Sequence, residues 1–189
     1  MNDKTVIFDL DGTLADIDHR LHFVQNGNKN WDAFYAACSE DGPKHPIIEL
    51  ARMCDDAGHR IIISSGRSEN VRSETEKWLE ENGVVYAELY MRPNACFVPD
   101  QALKKAWLDQ GLFGLLEDIL FVVEDRDRMV QMWRQQGLTC LQVDQWVEEG
   151  ERSFPIAKID LARDMVKFIS ATGQDARFHD WQRAQVKNG

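Results

Sequence analysis

Apolar positions in this chain fall into short runs separated by amphipathic stretches and polar turns. Runs rich in β-branched residues occur at 4–8 (KTVIF), 60–64 (RIIIS) and 119–123 (ILFVV). They are too short for a one-sided helix and suit strands covered on both faces. Weaker strand patterns stand at 87–90 (AELY) and 139–143 (TCLQV). Between the runs the apolar spacing changes to three and four. At 47–57, Ile47, Leu50, Ala51 and Cys54 share one face, which predicts an amphipathic helix ended by Gly58. Further helices are predicted at 70–82 before Gly83, at 100–110, and at 127–136 before Gly137. The stripe Met129, Val130, Met132 and Trp133 has helical spacing and reads as core.

Strands and helices alternate along the chain, so the expected class is α/β, with a parallel sheet covered by helices on both faces. The 189 residues allow one full core rather than two. Residues 1–150 are expected to form that core. Residues 15–45 are polar and irregular apart from a short helix near 30–40, and read as a small helical cap inserted after the first strand. Residues 151–189 read as a C-terminal helical extension with one helix at about 159–171.

Composition narrows the class. The longest apolar run, Ile119 to Val123, cannot span a membrane, and the N-terminus lacks the basic start and long apolar stretch of a signal peptide. The four cysteines, at 38, 54, 96 and 140, are too dispersed for a zinc site or a disulfide framework, so a soluble cytoplasmic protein with free thiols is expected. A net charge of −10 argues against a broad nucleic-acid footprint and leaves room for a small basic patch.

In open parallel sheets the site lies at the carboxyl ends of the strands. The first strand ends in Asp9-Leu10-Asp11-Gly12-Thr13, the 60–64 strand in Ser64-Ser65-Gly66-Arg67, and the 119–123 strand in Glu124-Asp125, with Lys104 in the helix before it. Neighbouring carboxylates repel unless a cation joins them, and hard Mg²⁺ suits an oxygen-rich cage of this kind. A carboxylate can attack phosphorus, and a second one in a different environment can serve as general acid and base. Ser65 and Lys104 suit the charge on a transferring phosphoryl group, and a tight turn at Gly12 and Thr13 presents backbone N–H groups to the same oxygens. The residues alone leave Ser64 as a competitor of Ser65 and Lys105 of Lys104. Glu124-Asp125 can also cap the next helix, and His19 and His22, flanking Arg20, read as solvated loop histidines. A calcium loop is excluded, because counting from Asp9 places Gly12 at position 4 rather than 6.

DLDGT, Ser65, Lys104 and VVED resemble, in order and spacing, the four motifs of the haloacid dehalogenase-like hydrolases across roughly residues 5–145. The resemblance implies a Rossmann-like three-layer α/β/α core with a small helical cap. It implies Asp9 as nucleophile, Asp11 as general acid/base, and a phosphoaspartate that is then hydrolysed. Mg²⁺ would be held by Asp9, the backbone of Asp11 and Asp125, with Glu124 beside it. Within that superfamily, DLDGTLADIDHR, ISSGRSE, MRPNACFVPDQALKK and VVEDRDRMVQMWRQQGLTCLQV are similar to the 3′-phosphatase domain of phage polynucleotide kinase-phosphatases. That similarity implies Gly12, Thr13, Arg20, Gly66, Arg67 and Arg92 on the substrate side.

Two departures stand out. The acidic pair is Glu124-Asp125 where the phage enzymes carry two aspartates, and ACFVPDQ lacks their Gly-Asp and a basic residue. No GxxxxGK[ST] loop is present, so this chain is expected to carry no kinase half. The expected function is Mg²⁺-dependent removal of a 3′-phosphate from polynucleotide ends or nucleotides, beside a separate kinase or ligase partner. A small-molecule nucleoside monophosphate phosphatase and a non-catalytic partner module of a kinase are the alternatives.

Overall fold

The computed structural model describes residues 4–25, 27 and 29–144. The helix expected at 159–171 and the whole C-terminal extension lie outside the described residues. Five parallel strands form the main sheet: β1 (Thr5–Phe8), β4 (Arg60–Ser68), β5 (Glu88–Arg92), β6 (Ile119–Glu124) and β7 (Cys140–Gln142), in the order β5-β4-β1-β6-β7. Every residue of β1 is buried, as expected of a central strand covered on both faces.

The period of two along each strand divides the core. Val6, Phe8, Ile61, Ile63, Phe121 and Val123 face one side, where they pack with Leu50, Cys54, Trp78 and Leu79 of α2 (His45–Asp56) and α3 (Arg72–Glu81). Ile7, Ile62 and Val122 face the other side, where they pack with Leu103 and Trp107 of α4 (Asp100–Asp109) and with Met129, Val130 and Trp133 of α5 (Asp127–Gln135). The result is the three-layer α/β/α core, with helices α2 and α3 on one face and α4 and α5 on the other. After β5 the chain crosses to the far side of β1, so strand order reverses around β1 and its carboxyl end is the switch point.

Residues between β1 and α2 form an insert. It comprises a 3₁₀ turn (Asp18–Phe23), α1 (Trp31–Ala36) and a second 3₁₀ turn (Ala37–Glu40), closed at its base by the antiparallel pair β2 (Ala15–Asp16) and β3 (Gly42–Pro43). The single helix expected near 30–40 is therefore split at Ala36 and Ala37. Three other boundaries differ from the pattern. β4 runs on to Ser68, because its pairing with β5 lapses after Ser64 and resumes at Ser68 opposite Arg92. The helix expected from 70 starts as a 3₁₀ turn at Glu69–Val71, whose Asn70 N–H is capped by the Ser68 hydroxyl. Glu124-Asp125 does not cap α5: Glu124 ends β6, and Arg126 holds the cap position without a side-chain cap bond.

Candidate active site

The turn after β1 sets the site. The Asp9 N–H continues the sheet ladder to the Val123 carbonyl at 2.9 Å. The Leu10 carbonyl then accepts from the N–H groups of Thr13, Leu14 and Ala15, which closes a tight turn. Gly12 sits in this turn at φ +88°, and a Cβ there would lie 2.0 Å from Asp125 Oδ2. Both the backbone conformation and the close approach require glycine.

Asp9, Glu124 and Asp125 converge here, each offering a carboxylate oxygen within 4.8 Å of the others, and all three are buried. Lys104 reaches them from α4. Its Nζ donates to Asp9 Oδ1 and, at 3.0 Å, to Glu124 Oε2. Lys105 instead turns outward to Asp109 at 2.8 Å, which decides between the two lysines. Asp9 Oδ2 is buried with no hydrogen-bond partner.

Three buried carboxylates share one ammonium, and their protons respond. Burial, reinforced by Glu124, pushes the Asp9 carboxyl up to about 7, against the pull of Lys104 and Arg126. Burial, Glu124 and Asp9 push Asp125 well above the usual range. Glu124 is held low: burial would raise it, and Lys104, the bond from Asp125 and Arg126 together outweigh that. An unpartnered buried carboxylate oxygen within a three-carboxylate cluster is the donor set that a hard divalent cation fits.

Asp11, two residues on, is not part of this cluster. Its Oδ1 accepts from Arg67 Nε at 2.7 Å and Arg20 Nη2 at 2.8 Å. Burial alone would raise its pKa, but Arg67 and Arg20 outweigh that and hold it at about 2. Both arginines are 0 % exposed and both also bind Asp41. Arg20 grips Asp41 with Nε (2.6 Å) and Nη2 (2.7 Å), and its guanidinium lies 4.1 Å from the Phe34 ring centroid.

The three arginines expected on the substrate side therefore reach the site with protein partners already in hand. Arg92 donates to the carbonyls of Gly66 (3.1 Å), Cys96 (3.1 Å) and Val98 (2.6 Å) and to Asp100. The physical reason is burial: a guanidinium removed from water needs carboxylates or carbonyls around it. His19, expected to be solvated, lies 2.9 Å from Asp41. The Ser65 hydroxyl accepts from the Arg67 N–H at 3.1 Å. The hydroxyls of Ser64 and Thr13 are buried without a hydrogen-bond partner. A Cβ at Gly66 would lie 2.8 Å from Asp100 Oδ1, so this glycine permits a close approach to α4.

Sequence reasoning missed Asp41, Asp100 and Arg126. Asp100 bridges Arg92 and Arg126, the latter at 2.9 Å, and Arg126 stands half-buried close to the carboxylates. The nearest signal for Arg126 was its place directly after the strand-ending acidic pair. Asp41, in a polar stretch without periodicity, carried none.

The fold is that of the haloacid dehalogenase-like class. Several solved structures resemble this chain. The chain matches one chain of a Pnkp1/Rnl/Hen1 RNA repair complex with TM-score 0.63 and 28% identity, over 75% of this chain and 43% of that one. A chain from a second Pnkp1/Rnl/Hen1 complex gives 0.65 and 28%, over 78% and 48%. An uncharacterized protein from Listeria monocytogenes serotype 4b shares the fold at TM-score 0.55 and 13% identity, over 86% and 97%. This chain thus spans less than half the length of the matched chains in the two repair complexes. The family model of the polynucleotide kinase PNKP phosphatase domain matches residues 3–146, and the chain belongs to that family.

Proposed function

We propose that this domain is a Mg²⁺-dependent phosphomonoesterase acting through Asp9, with a 3′-phosphate on a polynucleotide end or nucleotide as substrate. One observation carries the reading: Asp9 keeps a buried carboxylate oxygen without a partner at the switch point, while Asp11 is held apart from the acid cluster by two arginines. In the first half-reaction an Asp9 oxygen attacks phosphorus and the P–O bond to the leaving alcohol breaks; Asp11, ionised in the free domain beside Arg20 and Arg67, gives that alkoxide a proton it takes up from the phosphate monoanion as substrate binds. In the second, Asp11 takes a proton from water as the water oxygen attacks phosphorus and the bond to Asp9 breaks. Lys104 keeps Asp9 oriented through Oδ1, and the Asp11 N–H with Ser65 meets the phosphoryl oxygens, since the N–H groups of Gly12, Thr13 and Leu14, expected there from the sequence, are spent on closing the turn. Mg²⁺ held by Asp9, Asp125 and the backbone of Asp11, with Glu124 beside it, would supply positive charge against the phosphoryl oxygens.

The repair-complex structures support a nucleic-acid end as substrate and a kinase or ligase as partner. The insert supports it too: its 3₁₀ turns and one short helix make a small cap that leaves room for a long substrate. A small nucleoside monophosphate is the second reading, favoured by the engagement of Arg20, Arg67 and Arg92 within the protein. The test is phosphate release with Mg²⁺ from one oligonucleotide phosphorylated at 3′ and one at 5′, with the same nucleotides as monomers and Asp9→Asn as blank. Release from the 3′ oligonucleotide, lost in the blank, is the expected result. Better release from monomers would replace the polynucleotide by the nucleotide. No release from any of them would overturn the catalytic reading.

A further inference from the structure

Asp41 touches no part of the acid cluster, yet four side-chain contacts converge on its carboxylate. Arg20 gives it Nε and Nη2, Arg67 gives it Nη2 at 2.5 Å, and His19 Nε2 lies 2.9 Å from Oδ1. Its backbone carbonyl accepts from Trp78 Nε1 at 2.7 Å, which pins the residue to α3. The four charged groups belong to four segments. Asp11 is on the turn after β1, Arg20 and Asp41 are at the two ends of the insert, and Arg67 is on β4. Two guanidinium groups face two carboxylates, so the set is charge-balanced, which burial demands.

The contacts are differently disposed. Asp41 takes three guanidinium N–H bonds through both its oxygens, whereas Asp11 meets the arginines through Oδ1 alone, at Arg20 Nη2, Arg67 Nε and Arg67 Nη2, the last at 2.6 Å. Asp41 therefore fixes where the two guanidinium groups stand, and they in turn fix one oxygen of Asp11. Oδ2 of Asp11 takes no bond from either arginine and is left for the reacting proton. We infer that Asp41 is a positioning residue for the acid/base carboxylate of Asp11, acting through Arg20 and Arg67 from the far side of the insert. This rests on the proposed role of Asp11. A residue that only neutralised buried arginines would matter to stability and not to proton delivery.

The two cases separate by leaving group. Nitrophenolate leaves without a proton, whereas the alkoxide of a sugar needs one. Wild type, Asp41→Asn and the longer but still charged Asp41→Glu are compared in single turnovers, so that only formation of the phosphoenzyme is read. The substrates are p-nitrophenyl phosphate and a 3′-phosphorylated oligonucleotide. In whichever variant folds by thermal melt, the oligonucleotide rate is expected to fall about 100-fold and the nitrophenyl rate less than about threefold, since general acid catalysis contributes at least about that factor. In an Asp11→Asn background the Asp41 substitution is expected to cost nothing further on the oligonucleotide. Equal losses on both esters, no loss on either, or an additive loss in the double variant would overturn the inference. A wild type that hydrolyses neither ester would sink the phosphatase reading itself, and this inference with it.

Discussion

Single residues carry most of the electrostatic burden. Lys104 is the one ammonium in direct contact with the carboxylate cluster among the described residues. Lys104→Met would leave Asp9, Glu124 and Asp125 buried without it, at a cost of about 3–5 kcal/mol. Chemical denaturation without divalent cations checks this, and added Mg²⁺ is expected to return part of the loss by binding the folded state. The same cluster sets a pH dependence. With no cation bound, Asp9 sits at about 7 against an ordinary 3.8, so the folded state keeps a proton that the unfolded chain releases. Its contribution to stability is complete below 3.8 and is lost as pH rises through about 7. Asp11 works in the opposite sense: held at about 2, its contribution is present above 3.8 and is lost as pH falls toward 2. Urea midpoints of the metal-free domain should therefore decline between about pH 4 and 7, and Mg²⁺ should flatten that decline.

At the scale of elements, the insert and the end of β5 meet over one backbone group. The Gly66 carbonyl accepts from Tyr35 Oη of α1 at 3.3 Å and from Arg92 Nε of β5 at 3.1 Å. Two exposed rings lie in the segments that carry these contacts, Trp31 at 50 % and Phe97 at 93 %. Trp31 lies 6.0 Å from Tyr35 between ring centroids, and Phe97 sits between Cys96 and Val98, whose carbonyls Arg92 holds. Under the proposed nucleic-acid substrate, a base beside the phosphate is expected to stack on these rings. Trp31→Ala and Phe97→Ala are each expected to raise KM for the 3′-phosphorylated oligonucleotide about 5- to 100-fold, since base–aromatic stacking is worth about 1–3 kcal/mol. KM for p-nitrophenyl phosphate, which has no base, should hold. Steady-state kinetics on both substrates make the comparison.

For the molecule as a whole, charge and burial act together. The chain carries a net −10, and Arg20, Arg67 and Arg92 are engaged internally. Those three guanidinium groups are therefore not available to displace counterions from a polynucleotide. With about one or two phosphate contacts, KM for the oligonucleotide should rise less than about sevenfold between 50 and 200 mM salt. A far steeper rise in a salt titration would mean that these arginines leave Asp11, Asp41 and Asp100 when substrate binds.

The amino-acid sequence by itself determined the α/β class and the gathering of Asp9, Asp11, Glu124 and Asp125 at one edge of the sheet, because β-branched runs mark parallel strands whose ends share that edge; the choice of Lys104 over Lys105 waited for the tertiary structure. Tertiary structure alone decided what the arginines do. Arg20, Arg67 and Asp41 come from separate segments, and only the packing of the insert against β1, β4 and α3 takes them out of water together. Polar loop residues have no period to betray such a meeting. Burial then forces each guanidinium to find a carboxylate, and that necessity ties the insert to Asp11.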